Sequence, residues 1–262
     1  MGCGCSTCPE GDRPLSNGQR TVDASRAGRR ADEQAASPSG FYFGDVVPAA
    51  RLLFVRHAQA EAKSARQGQA VGDPGLSPLG LEQAQQLASL WCSLGYTADI
   101  VCSPMQRCLK TASPLLESPV SQGRRVVCHA LLCEHGNNPS DFSPDRIVRA
   151  LPLLKGGSFC TACDFLGFDV SEDSTRSRAT QLAHWIRAQV REWYRDLPRQ
   201  TLVIVSHQTL LDCLLRILID GSGNEWEYGN IKYKFANTGV YEVLLSDKGA
   251  QLQERNSTVH LK

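Results

Sequence analysis

Two apolar runs in this chain end on a histidine, and that repetition constrains the fold more than any bulk property. Leu52-Leu53-Phe54-Val55 empties into Arg56-His57-Ala58-Gln59, and Leu202-Val203-Ile204-Val205 empties into Ser206-His207-Gln208. A strand that ends this way sets its polar side chains at the C-terminal edge of a sheet, where open α/β sheets hold ligands. A helical segment, Leu210 to Ile219, follows the second copy, so His207 lies near a helix N-terminus. Free backbone N–H groups and the dipole favour an anion there. A third piece, Asp99-Ile100-Val101-Cys102-Ser103-Pro104-Met105-Gln106-Arg107, is a strand that turns at Ser-Pro into a helix carrying Arg107 in its first turn.

The rest of the chain alternates in the same manner. Strands are expected at 51–56, 98–102, 125–128, 201–206 and 239–245. One helix should run from Pro78 to Leu94, with Pro78 in its first turn, Gly95 past its end, and a stripe of Leu81, Ala84, Leu87, Ala88, Trp91 and Leu94. A second should start at Met105 and stop at Pro114, and a third should run from Thr175 to Leu197, closed by Pro198. Alternation of this kind argues an α/β fold, a three-layer sandwich with a mostly parallel central sheet and helices on both faces. A hydrophobic share of 42% with 21% charged residues is that of a globular protein, and a net charge of +1 gives no argument for nucleic acid.

Two arginines and two histidines past strand ends could converge on one phosphoryl group. Arg56 and Arg107 supply planar forks of donors that match phosphate oxygens, and His207 adds a third donor. His57 can attack phosphorus in line and carry it covalently. The leaving alcohol then needs a proton, and Glu134, after Leu131-Leu132-Cys133, is the best donor and later acceptor; Glu61 and Asp141 are poorer substitutes. This scheme requires no metal and no cofactor. His129, His135, His184 and His260 are assigned no chemistry, and His184 is expected on a solvent face.

These pieces resemble the histidine phosphatase superfamily, which includes the cofactor-dependent phosphoglycerate mutases. The resemblance rests on Arg56-His57-Ala58, the segment Asp73-Pro74-Gly75-Leu76-Ser77-Pro78-Leu79-Gly80, and Ser103-Pro104-Met105-Gln106-Arg107 through Ala112. Leu132-Cys133-Glu134, Ser206-His207 and Asn237-Thr238-Gly239 complete it. It implies a phosphoglycerate mutase-like fold with its final strand antiparallel at an edge, and the roles just given to His57, Glu134, Arg56, Arg107 and His207. It also implies that the insertion at 136–173, which carries a possible short helix near Pro144 to Leu151, covers the site. The chain departs from the family pattern at Ala58, where glycine is common, and at Gln59, Ala60 and Glu61. The leading expectation is a phosphomonoester phosphatase acting on a phosphorylated substrate of open class. A mutase-type phosphotransferase and a non-catalytic phosphate-binding scaffold are the alternatives.

The chain start is read separately. Met1-Gly2-Cys3-Gly4-Cys5-Ser6 fits N-myristoylation at Gly2 with palmitoylation at Cys3 and Cys5, in a eukaryotic cell. One acyl chain binds membrane only marginally, so the adjacent cysteines supply the second signal. Residues 1–40 are poor in large apolar groups and read as a disordered tether, with residues 41–262 as the catalytic domain. Phe41-Tyr42-Phe43 is expected to pack on that domain. The implied location is the cytoplasmic face of a membrane. Eleven cysteines without a secretory signal suit a reducing compartment, and Cys160-Thr161-Ala162-Cys163, one pair without a second, is taken as structural thiols.

Overall fold

The computed structural model describes residues 50–61, 73–95, 98–117, 125–134, 158–161, 172–193, 201–221 and 225–261. In chain order these form β1 (Ala50–Arg56), α1 (Pro78–Ser93), β2 (Ala98–Cys102), α2 (Gln106–Glu117), β3 (Arg125–Cys128), β4 (Ser158–Thr161), α3 (Glu172–Trp193), β5 (Thr201–Ser206), α4 (Gln208–Leu215), β6 (Val240–Ser246) and β7 (Gly249–Ser257). The strands join in one sheet in the order β4-β3-β2-β5-β1-β6-β7. From β4 to β1 every pairing is parallel, and β1 with β6 and β6 with β7 are antiparallel.

Side chains alternate across the central strands, so each strand feeds two cores. Leu52, Phe54, Val101, Leu202 and Ile204 pack with α3 and α4 through Leu182, Ile186, Leu211 and Leu214. Leu53, Val55, Ile100, Val203 and Val205 pack with α1 and α2 through Leu87, Trp91, Leu109 and Leu115. Helices therefore cover both faces of the sheet, as the alternation predicts.

Several boundaries differ from the expectations. The α1 stripe is Gly80, Ala84, Leu87, Ala88 and Trp91, whereas Leu81 and Leu94 are 54% and 51% exposed. Those two leucines lie on opposite flanks of the stripe. Ser77 caps α1, its hydroxyl accepting from Gly80 N, with Pro78 next. The left-handed residue after the helix is Gly95, with φ +64. Pro114 does not end α2, which continues to Glu117 because Leu115 and Leu116 are buried in the α1–α2 core. The third helix begins at Glu172 rather than Thr175 and is described to Trp193; Leu197 and Pro198 lie outside the described residues.

The expected antiparallel strand at 239–245 is β6, but it is not the edge. β7, which was not expected, pairs outside it. β4, also unexpected, falls inside the insertion and extends the parallel side. The possible helix at 144–151, the tether, the lipidation residues Gly2, Cys3 and Cys5, the aromatic triplet and Cys163 lie outside the described residues. Among the described residues no helix is long and apolar enough to cross a membrane.

Candidate active site

Strand order brings the expected residues together. β2, β5 and β1 are neighbours, and backbone bonds lace the segments leaving them. His57 N donates to Ser206 O at 2.9 Å, Ser103 N to Val205 O at 2.9 Å, and His129 N to Cys102 O at 3.0 Å. The residues just past four adjacent strands thus line one edge.

His57 is 8% exposed, and its Nδ1 lies 2.7 Å from the Ala58 carbonyl oxygen. A carbonyl only accepts, so Nδ1 carries the proton and Nε2 keeps its lone pair. Burial first, then the Arg107 and Arg56 guanidiniums, push the imidazole pKa down to about 3. At neutral pH His57 is therefore an uncharged base with a fixed tautomer. The His207 ring centroid lies 5.2 Å away. His207 is fully buried, and burial, Arg107 and His57 hold its pKa well below the usual value. It is the N-cap residue of α4, yet its side chain makes no capping bond, which leaves the imidazole for the site.

Arg107 enters from the first turn of α2 and pairs with Asp73 at 3.6 Å. Both Asp73 oxygens also accept from Gln106 N, at 3.1 and 3.0 Å, so this carboxylate caps α2 and steadies its arginine together. Thr111, one turn on, donates to Arg107 O and accepts from Ala58 N at 2.9 Å, tying the segment after His57 to α2. On the other side of that segment, a Cβ on Gly80 would run into the Gln59 carbonyl oxygen, so the start of α1 requires glycine there.

Arg56 donates from Nη1 to Phe235 O at 2.9 Å, while its buried Nε meets no partner among the described residues. Its pKa is lowered by burial; Glu134 opposes that shift and Arg107 reinforces it. Glu134 thus lies within the electrostatic reach of the site. It is half-buried and follows the short 3₁₀ turn Ala130–Leu132. That segment is held from two elements: Arg178 of α3 donates to Cys133 O at 2.6 Å, and Ser206 Oγ donates to Leu132 O at 2.7 Å.

The structure therefore brings together Arg56, His57, Arg107 and His207, with Glu134 in electrostatic reach of Arg56. Glu61 is exposed, His184 is exposed on α3, and Asp141 and His135 lie outside the described residues. His129 is buried, caps the 3₁₀ turn and stacks edge-on against Trp185, and His260 bonds Thr238 Oγ1 at 2.9 Å. Cys128, Cys133 and Cys213 are buried thiols. Sequence reasoning missed Asp73, Thr111, Ser103 and Arg178. The first three stand inside the quoted motifs, but their partners are distant in sequence.

Residues 52–136 match the family model described as histidine phosphatase superfamily (branch 1). No curated protein matches the sequence. Among solved structures, the ecdysone phosphate phosphatase from Bombyx mori, in complex with tungstate, is similar at 15% identity and TM-score 0.59, covering 79% of this chain and 93% of that one. The alpha-ribazole phosphatase from Shigella flexneri aligns at 19% identity and TM-score 0.51, over 79% of this chain and 96% of that one. The protein histidine phosphatase SixA, also with tungstate, aligns at 13% identity and TM-score 0.51, over 81% and 99%. At these identities the likeness is one of fold, the phosphoglycerate mutase-like α/β sandwich.

Proposed function

Because residues 52–136 match the histidine phosphatase superfamily model, we propose that this chain is a phosphomonoester phosphatase that works through a phosphohistidine on His57. The observation that carries the reading is His57 itself. It is buried and neutral, and the Ala58 carbonyl commits its proton to Nδ1. His57 Nε2 attacks phosphorus as the P–O ester bond breaks. The electron pair leaves on the alcohol oxygen, which takes a proton from the Glu134 carboxyl. Water then attacks the phosphohistidine and gives its proton to the Glu134 carboxylate, and the P–N bond pair returns to Nε2. Arg56, Arg107 and His207 hold the three phosphoryl oxygens over which charge is spread in a loose transition state. Two structures of similar fold were obtained with tungstate, a phosphate-like oxyanion, which supports a phosphoryl ligand for this chain.

The test is turnover of an aryl phosphate in excess EDTA, wild type beside His57→Ala. Hydrolysis that survives chelation, vanishes in the variant and is inhibited competitively by tungstate supports the proposal. Equal turnover by both proteins would sink it. We further propose that Gly2, Cys3 and Cys5 are acylated and hold the enzyme at a membrane, on the motif at the chain start. Metabolic labelling with an alkyne fatty acid, lost in Gly2→Ala, is the outcome that supports this.

A further inference from the structure

His57 owes its tautomer to a backbone carbonyl, whereas His207 has no such partner. Its Nε2 lies 2.9 Å from Ser103 Oγ and 3.3 Å from Cys108 Sγ. Its Nδ1 has only that same sulfur, at 3.9 Å, among the described residues. Ser103 is fully buried just past β2, and its backbone is pinned to β5 by the bond to Val205 O.

A hydroxyl has one proton to give and two lone pairs to receive with. Met105 N–H donates to Ser103 Oγ at 3.4 Å and takes up one of its lone pairs. Burial raises the pKa values of the Cys108 and Cys133 thiols, that of Cys133 to about 12, so each keeps its proton and its sulfur is only a weak acceptor. The nearest strong acceptor left for the Ser103 proton is the imidazole nitrogen. The reverse assignment would put the His207 proton on Nε2 and leave Nδ1 a bare lone pair. A neutral histidine with a bare lone pair toward a phosphoryl oxygen repels it.

We propose that Ser103 is a positioning residue that donates to His207 Nε2 and so fixes His207 as the Nδ1–H donor to the phosphoryl group. The functional half of this assignment rests on the phosphatase reading; the tautomer does not. Losing the hydroxyl leaves His207 free to carry its proton on Nε2, so only a fraction of molecules hold the competent donor. Binding and turnover then fall with that fraction.

The experiment is a long-range proton–nitrogen NMR correlation of the histidine rings in the 15N-labelled full chain, with His207 assigned through His207→Gln. The wild type should show the unprotonated nitrogen at Nε2 of His207. Ser103→Ala should move the proton to Nε2 and lower kcat/KM for an aryl phosphate about 10-fold, and Ser103→Thr should restore both. A wild-type ring protonated at Nε2 overturns the proposal without any variant, as does a Ser103→Ala ring unchanged from wild type. The expected tautomer in a wild type without turnover would support the Ser103 assignment and overturn the phosphatase reading instead.

Discussion

The two histidines stand at the ends of adjacent parallel strands, yet they are held by different means. His57 leaves β1, and its proton is fixed by the carbonyl of the next residue, Ala58. His207 leaves β5 and is bonded to side chains that arrive from β2 and α2. A backbone partner cannot be removed by substitution, whereas a side-chain partner can. The nucleophile's protonation state therefore comes with the local chain, and the donor's comes with the tertiary fold. Arg107 is common to both, since it lowers the pKa of each ring.

The sharpest break of the symmetry is deletion. His57→Ala removes the atom that forms the covalent bond, and turnover should fall by more than about 10³-fold. No phosphoenzyme should then form with a 32P-labelled phosphoester. His207→Ala removes one donor and should cost less, about 10²-fold in kcat, while the phosphoenzyme still forms slowly. If the two losses matched and both abolished the phosphoenzyme, the division of roles would be wrong.

Acid tests what the two rings share, which is burial in the neutral state. The His57 pKa is about 3, that of His129 about 4, and that of His207 lies well below its usual value. In the unfolded chain each would titrate near about 6.5. Below that pH the unfolded state binds protons that the folded state refuses. The stability these rings contribute is thus complete above the unfolded pKa and is lost as pH falls toward the folded values. Three such groups should together cost about 3 kcal/mol between pH 6.5 and 5.5, read from urea unfolding. A flat profile would mean that the rings gain protons without unfolding.

The same contrast between local and tertiary causes decides what was legible in the sequence. β1, β2, β3 and β5 were readable because each is a short apolar run, and β5 is buried along its whole length. α1 was readable from Ser77-Pro78 at its start and Gly95 after its end. β7 was not, because Gly249-Ala-Gln-Leu-Gln-Glu-Arg-Asn-Ser257 lies at the sheet edge and is largely exposed, so it carries little apolar signal. Pro114 misled because tertiary burial of Leu115 and Leu116 outweighs the backbone bond that proline removes. Arg56, His57, Arg107 and His207 announced themselves by their place after strands. Ser103 and Asp73 did not, since serine and aspartate before a proline read as turns. Their work is a contact 104 residues away in one case and 33 in the other.

Asp73 gives the smallest effect and the finest test. Its carboxylate caps Gln106 N and pairs with Arg107. Asp73→Asn keeps a capping oxygen and removes the charge, while Asp73→Ala removes both. The alanine variant should therefore lose about 1 kcal/mol of stability that the asparagine variant retains, read from thermal or urea unfolding. For catalysis, two consequences of losing the charge oppose each other. Arg107 no longer shares its charge with Asp73 and should bind a phosphoryl group more tightly, which lowers KM. It also loses the partner that sets its place, and small misplacements are costly in the transition state. The second should outweigh the first in kcat, which should fall about 10-fold in both variants. Unlike Ser103, which touches His207 alone of the two rings, Asp73 acts through the arginine that both rings share. The His207 tautomer should therefore survive in Asp73→Asn even as kcat falls. A shifted tautomer would show that Arg107, and not Ser103, orders the donor.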